Sequence, residues 1–225
     1  MIAVFDASSL ISMSQSCLIN ILGDLQHEIG ARFVVPESVY AEVVEKPINI
    51  KRFELNAVRI KKAVYEGWLE IKALDRIHQE QATEIDGIAN QLFFIKGRPL
   101  QIVQRGEIDA LALLDQLGSK LLVIDERTAR SIIEDPARLK TIIERRKDRR
   151  VFLKKENADA LRAMFPDLRI VRSVELVALA FEKGVAAKEL PNDKQALEAA
   201  LYAVKYAGCA VSRSEIEQFL SGKTI

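Results

Sequence analysis

The sequence predicts an α/β fold in which a parallel sheet is covered by helices on both faces. Three observations carry that prediction. Short runs made almost wholly of β-branched and other apolar residues recur along the chain, as expected of strands buried on both sides. Longer segments with apolar residues at helical spacing lie between them. The two kinds alternate, which is the order a parallel sheet needs for its crossovers.

IAVF (2 to 5) is the first strand. SLISMSQSCLINIL (9 to 22) has helical spacing and RFVV (32 to 35) is strand-like, so the chain opens with a βαβ unit. Pro36 suits the first turn of a helix through PESVYAEVVE, Lys46-Pro47 breaks it, and FELNAVRIKKAVYEG (53 to 67) is a further amphipathic helix. WLEIK (68 to 72) is the third strand. A helix around 83 to 96, a break at Gly97-Arg98-Pro99, the helix IDALALLDQL (108 to 117) and the strand KLLVI (120 to 124) follow. RIV (169 to 171) is the fifth strand, and SVELVALAFEKG (173 to 184) its helix, with Ser173 as N-cap. Helices are expected at 128 to 166 and again at 193 to 220, the last opened by Ser212 and Glu215 in capping-box spacing.

With 225 residues, 49% of them hydrophobic, the chain can bury a large core, and disorder is not expected. The 33 basic and 32 acidic residues leave a net charge of +1, so global charge makes no case for nucleic acid. Local charge is different: from Arg138 to Lys155 nine Lys or Arg face two acids. Such a run is more often a solvated helical face than a phosphate track. Cys17 and Cys209 have no ligand spacing and form neither a disulfide framework nor a zinc site. The absence of a basic leader or a membrane-length apolar run gives the expectation of a soluble, cytoplasmic protein with no membrane partner.

Ligands of an open parallel sheet bind beyond the carboxyl ends of its strands. Asp6 follows the first strand and Asp125 the fourth. Each alone reads first as an N-cap. If the two strands are neighbours their carboxylates converge, and at about 4 Å they would repel by ~1 kcal/mol in water and ~4 at a protein surface. A cation would offset that. On the helix after the second strand, Val39, Tyr40, Val43 and Val44 define the buried arc, and Glu42 falls at its edge, placed either to reach over the sheet or to snorkel. Glu107 and Asp109, two apart, point about 200° from each other on a regular helix. Either one could be a first-turn acid favoured by the helix dipole. The preceding Gly106 would allow Glu107 an unusual direction, so both stay in the set. These oxygen donors, with no cysteine or histidine, suit one or two Mg²⁺ or Mn²⁺ ions, which serve phosphodiester hydrolysis. Ser8 or Ser9 would position a metal-bound water, or cap the helix.

DASSL, VVPESVYAEVVE and GEIDALALLDQLGSKLLVIDERTAR together resemble the PIN-domain family of metal-dependent nucleases, over about residues 1 to 185. The resemblance implies a Rossmann-like three-layer α/β/α sandwich with strand order 3-2-1-4-5, which sets the first and fourth strands side by side. It implies an acidic quartet of Asp6, Glu42, Asp109 and Asp125, with Glu107 as the extra glutamate of members carrying a GExEA-like stretch. Arg172 and Ser173, in IVRSVEL, are similar to the residues that follow the last strand in archaeal members. The expected division is a nuclease domain at 1 to 185, with its helical insertion at 128 to 166, and a helical extension at 186 to 225. The activity implied is endoribonucleolytic, with Arg127, Arg130, Arg145, Arg146, Lys147, Arg149 and Arg150 approaching the RNA backbone. A homodimer is implied, with helix 53 to 67 or 196 to 207 as its face, and for a toxin an antitoxin protein as partner. Many toxins of the family are shorter than this chain.

The alternative is a nucleic-acid-binding regulatory module with the same fold and little turnover. A phosphotransfer enzyme of the haloacid dehalogenase type would need a second aspartate where Ser8 stands. A P-loop or dinucleotide enzyme would need a glycine-rich turn in place of Ala7-Ser8-Ser9.

Overall fold

A computed structural model describes residues 1–222; residues 223–225 of the expected extension lie outside the described residues. The chain starts with β1 (Ile2–Phe5), α1 (Ala7–Gln15) and α2 (Ile19–Glu28). The single helix expected over 9 to 22 is thus two. The break is at Cys17, whose φ of 61° is left-handed and stops α1. Next come β2 (Arg32–Pro36), the short α3 (Glu37–Tyr40) continued by a π-helical turn at Ala41–Glu45, a 3₁₀ turn at Pro47–Asn49, α4 (Glu54–Tyr65) and β3 (Leu69–Lys72). Pro36 ends the strand and caps α3 rather than sitting in its first turn.

The next stretch departs most from expectation. α5 runs Arg76–Ala89, opened by the Asp75 side chain accepting from His78 N, and it ends well before residue 96. Residues 93 to 95, expected as helix, are β4 (Phe93–Ile95), which turns back into β5 (Arg98–Pro99). Lys96 (φ 50°) and Gly97 (φ 75°) both take left-handed backbone, the two-residue hairpin turn whose twist matches the strands. α6 (Arg105–Gln116), β6 (Leu121–Val123), α7 (Arg127–Glu134) and α8 (Pro136–Lys147) follow. β7 (Phe152–Leu153) then pairs with β4, giving an unexpected three-stranded antiparallel sheet, β5-β4-β7. α9 (Lys155–Met164), β8 (Arg169–Val171), α10 (Ser173–Glu182), α11 (Lys194–Ala207) and α12 (Arg213–Leu220) complete the chain. The Ser212–Glu215 capping box forms as expected.

The main sheet has the order β3-β2-β1-β6-β8, every pair parallel. Counted along that sheet alone, this is the expected 3-2-1-4-5, with β1 beside β6. Alternate residues of β1 enter two cores. Ala3 and Phe5 join α1, α2, α10, α11 and α12 on one face, whereas Val4 joins α5 to α9 on the other. The result is a three-layer α/β/α sandwich, and Leu201, Val204 and Ile216 of the carboxyl-terminal helices lie in the same core as Phe5. Leu55, Val58 and Tyr65 of α4 and Tyr206 of α11 stay exposed. No helix among the described residues is long and apolar enough to cross a membrane.

Candidate metal centre

The parallel pairing of β1 with β6 brings two strand ends together, and the Asp6 amide extends it by donating to the Val123 carbonyl (2.9 Å). Asp6 caps α1: its Oδ2 accepts from the Ser8 amide (3.0 Å) and from the Ser8 hydroxyl (2.8 Å). The same Ser8 oxygen accepts from the amides of Asp125 (3.0 Å) and Glu126 (3.2 Å). One hydroxyl therefore ties both strand ends to the Asp6 carboxylate. Ser9 is fully buried, and its hydroxyl lies within hydrogen-bond distance of the Asp6 and Val123 carbonyls. It fastens the backbone of both strand ends.

Asp125 is 1% exposed. Its Oδ1 accepts from the Ser173 amide (2.7 Å) at the start of α10, where the helix dipole favours a carboxylate. Its Oδ2 is buried without a partner. Ser173 is not the N-cap: Arg172 holds that position, and Glu175 caps by accepting from the Arg172 amide (2.7 Å). The Ser173 hydroxyl instead donates to the Ser9 carbonyl (3.3 Å).

Glu42 sits on the π-helical turn at the exposed rim. A Cβ on Gly106 would lie 3.2 Å from its Oε2 and 3.1 Å from Val39 Cγ2. The expected reason for Gly106, an unusual backbone direction, is therefore corrected: it lies within regular helix, and its missing side chain lets α6 approach α3 and the π turn closely. Glu107 occupies the first turn of α6 and accepts from the Gln104 amide (2.7 Å). Burial pushes its carboxyl from 4.5 up to about 8, aided by the charges of Asp6, Glu126 and Glu42. Asp6 is raised by burial, with Asp125 adding to it against the Ser8 and Ala7 hydrogen bonds. Glu42 is raised by burial and by Asp6, against Lys46. A small cavity of about 10 Å³, room for about one water, lies between Asp6, Glu107 and the apolar wall of Leu122, Ile124 and Ala129.

Asp109 projects differently from Glu107 on the regular helix. It is buried, and its Oδ1 lies 2.8 Å from the Arg105 Nε one turn back but accepts no hydrogen bond. Its charge is not among those that press on Asp6, Glu42 or Glu107. Of the basic residues, Arg127 is exposed and opens α7 two positions after Asp125. Arg130 pairs with Glu134 (3.3 Å). Arg145, Arg146, Lys147, Arg149 and Arg150 are exposed at the end of α8 and in the segment leading into β7.

Several participants left no local trace in the sequence. Glu126 adds a fifth acid at the rim. The carboxyl-terminal segment reaches the same strand end, where the Ala210 amide donates to the Asp125 carbonyl (3.1 Å) and Asp125 faces the buried Cys209 thiol, whose pKa burial drives up. The buried Arg172 guanidinium locks this segment by donating to the Ala210 carbonyl (3.0 Å) and to Glu215 (2.8 Å) while pairing with Glu175.

Among the described residues no three acidic, histidine or cysteine side chains stand close enough to hold an ion as they are. The chemistry nonetheless fits a hard cation. An orphaned carboxylate oxygen on Asp125 and three carboxyls raised by burial and mutual repulsion are what a divalent ion would relieve, and every donor is oxygen.

Searches of curated proteins and of solved structures gave no significant match. A family model described as DUF3368, a PIN domain, matches residues 2–142, well over half of the chain and all of Asp6, Glu42, Glu107, Asp109 and Asp125. PIN domains are generally nucleases that use divalent metals. With the parallel order and strand-end acids described above, the match establishes that the chain belongs to the PIN-domain family.

Proposed function

We propose that this PIN domain is a metal-dependent endoribonuclease that hydrolyses RNA phosphodiester bonds, with Asp6, Glu42, Glu107 and Asp125 holding one or two Mg²⁺ or Mn²⁺ ions. The observation that carries the reading is the pair of strand-end aspartates wired through the Ser8 hydroxyl, one of them with a buried, partnerless oxygen. When bound, such an ion supplies a nucleophilic water near neutral pH and offsets charge at phosphorus. Asp6 and Asp125 form the floor, held by Ser8 and by the first turn of α10. Glu42 and Glu107 enclose it from the side, and Gly106 sets their approach. Glu107, raised to about 8 by burial and the neighbouring acids, would have to lose its proton to hold a cation. Asp109, buried on the same helix, pairs with Arg105 and has, like Asp125, a carboxylate oxygen that accepts no hydrogen bond. Arg127, exposed two positions after Asp125, and Lys46, whose charge acts on Glu42, are the cations that would meet the scissile phosphate.

The test is cleavage of single-stranded and structured RNA by wild type and Asp6→Asn with Mg²⁺, Mn²⁺ or chelator. Wild type should cut only with metal and Asp6→Asn at least ~100-fold more slowly; equal rates would sink the assignment. The spread of the acids favours a second reading, a regulatory module that binds RNA with little turnover. Tight binding without cleavage under every metal condition would select it.

A further inference from the structure

The antiparallel sheet β5-β4-β7 lies outside the metal centre, and its two faces differ sharply. In the register of β4 with β7, Phe93 opposes Leu153 and Phe94 opposes Phe152. The first pair turns inward: Phe93 is fully buried, and Leu153 packs on the same core. The second turns outward, since side chains alternate along a strand and neither Phe94 nor Phe152 belongs to a core cluster. Phe152 is 66% exposed. Pro99 opposes Phe94 on the other side, so an apolar row crosses all three strands.

Cations flank that row just beyond the strand ends. Lys96 lies two residues after Phe94, and Arg150 and Lys154 lie two residues either side of Phe152. All five line one shallow hollow, with Glu156 its only acid among the described residues. None of the three cations forms an ion pair among the described residues. The exposed Arg145, Arg146, Lys147 and Arg149 extend the positive surface from the end of α8.

We propose that this sheet face binds a single-stranded nucleic acid, with bases stacking on Phe94 and Phe152 and phosphates meeting Lys96, Arg150 and Lys154. Aromatic faces interleaved with cations are the chemistry that holds unpaired bases without reading their sequence. A base in a duplex has no free face to offer. A second copy of the chain fits poorly, because joining two such faces would set like charges against each other. The inference goes beyond the cleavage reading, since binding here needs none of the acids. It also suits that reading: five residues link Pro99 to Arg105, so β5 ends at most about 22 Å from the helix that carries Glu107. A strand held here would feed the acidic edge.

The test is fluorescence anisotropy of a short labelled single-stranded RNA and of its duplex on the full chain, in chelator so that nothing is cut. Phe152→Ala, at an exposed position, should weaken single-strand binding about 5-fold or more, while Phe152→Tyr holds it within about 2-fold. Arg150→Ala with Lys154→Ala should lower the slope of log affinity against log salt by ~1.4. Unchanged single-strand affinity for Phe152→Ala would overturn the proposal, as would an equal loss on the duplex. So would a wild-type dimer that Phe152→Ala dissociates while RNA affinity stays the same. If the wild type cuts no RNA with any metal while Phe152→Ala still loses binding, the nuclease reading fails and this surface stands.

Discussion

Replacing Glu107 by glutamine should make the metal-free protein more stable at high pH, although it alters the candidate site. An ordinary glutamate titrates at 4.5; in the fold, burial and the charges of Asp6, Glu126 and Glu42 raise Glu107 to about 8. The folded chain therefore holds this proton more tightly than the unfolded chain does. Its favourable contribution is complete below about 4.5 and declines as pH rises to about 8. At about 1.36 kcal/mol per unit, the full interval sets a ceiling just under 5 kcal/mol. The side chain is only half-buried, and solvent screening lowers the expected effect to about 2 kcal/mol. Glutamine keeps an oxygen for the Gln104 amide and carries no charge. The assay is urea unfolding of wild type and Glu107→Gln in chelator at pH 5, 7 and 8.5. The two should agree near pH 5, and the variant should lead by about 2 kcal/mol at pH 8.5. Saturating Mn²⁺ should reverse the order, since 100-fold excess over Kd stabilises by about 2.7 kcal/mol and the variant lacks a ligand. Parallel pH profiles in chelator, or a variant less stable than wild type at pH 8.5, would refute the account of this buried acid.

Ser8→Ala leaves the Asp125 and Glu126 amides without their acceptor and takes one of two donors from the Asp6 Oδ2, and should cost about 2 kcal/mol in urea unfolding; a loss under about 0.5 kcal/mol would mean that water replaces the hydroxyl. Gly106→Ala gains about 1 kcal/mol in helix propensity but meets Val39 and the Glu42 carboxylate. Its net stability should change by less than about 1 kcal/mol while calorimetric Mn²⁺ affinity falls, and unchanged affinity would remove Glu42 from the site. Glu215→Ala takes one carboxylate from the buried Arg172 and should cost about 1 to 2 kcal/mol at neutral pH. Glu215 is held down to about 2 by the Ser212 hydrogen bonds and Arg172, which outweigh its burial, so the difference from wild type should shrink as pH falls from 4.5 towards 2.

The strands of the main sheet were legible because a fully buried strand has little choice of residue: Phe33, Val34 and Val35 each face a core. Their order came from family resemblance, not from hydrophobic pattern. The helical wheel correctly separated Glu107 from Asp109 but could not say which faced Asp6, since that depends on how closely α6 approaches α3. The second sheet was missed because Leu92 to Ile95 continues the apolar pattern of α5 and because Lys-Gly is a weaker hairpin signal than Asn-Gly. Ser173 looked like a cap by residue type, whereas the deciding acceptor is Glu175. Contacts from Ala210 and Cys209 to Asp125 span more than 80 positions, and no local pattern encodes them.

The hydrogen bond from the Ala210 amide to Asp125 also sets an order in time. A chain made from its amino terminus carries Asp6, Glu42, Glu107 and Asp125 well before Arg172 and Ala210 exist. At 5–20 residues per second, the 85 positions from 125 to 210 take roughly 4 to 17 s to add. Through that interval a growing chain beside its own messenger has the acids but lacks the amides of Ser173 or Ala210 that hold Asp125 in place. Maturation of the acidic edge is deferred until α10 to α12 have been made.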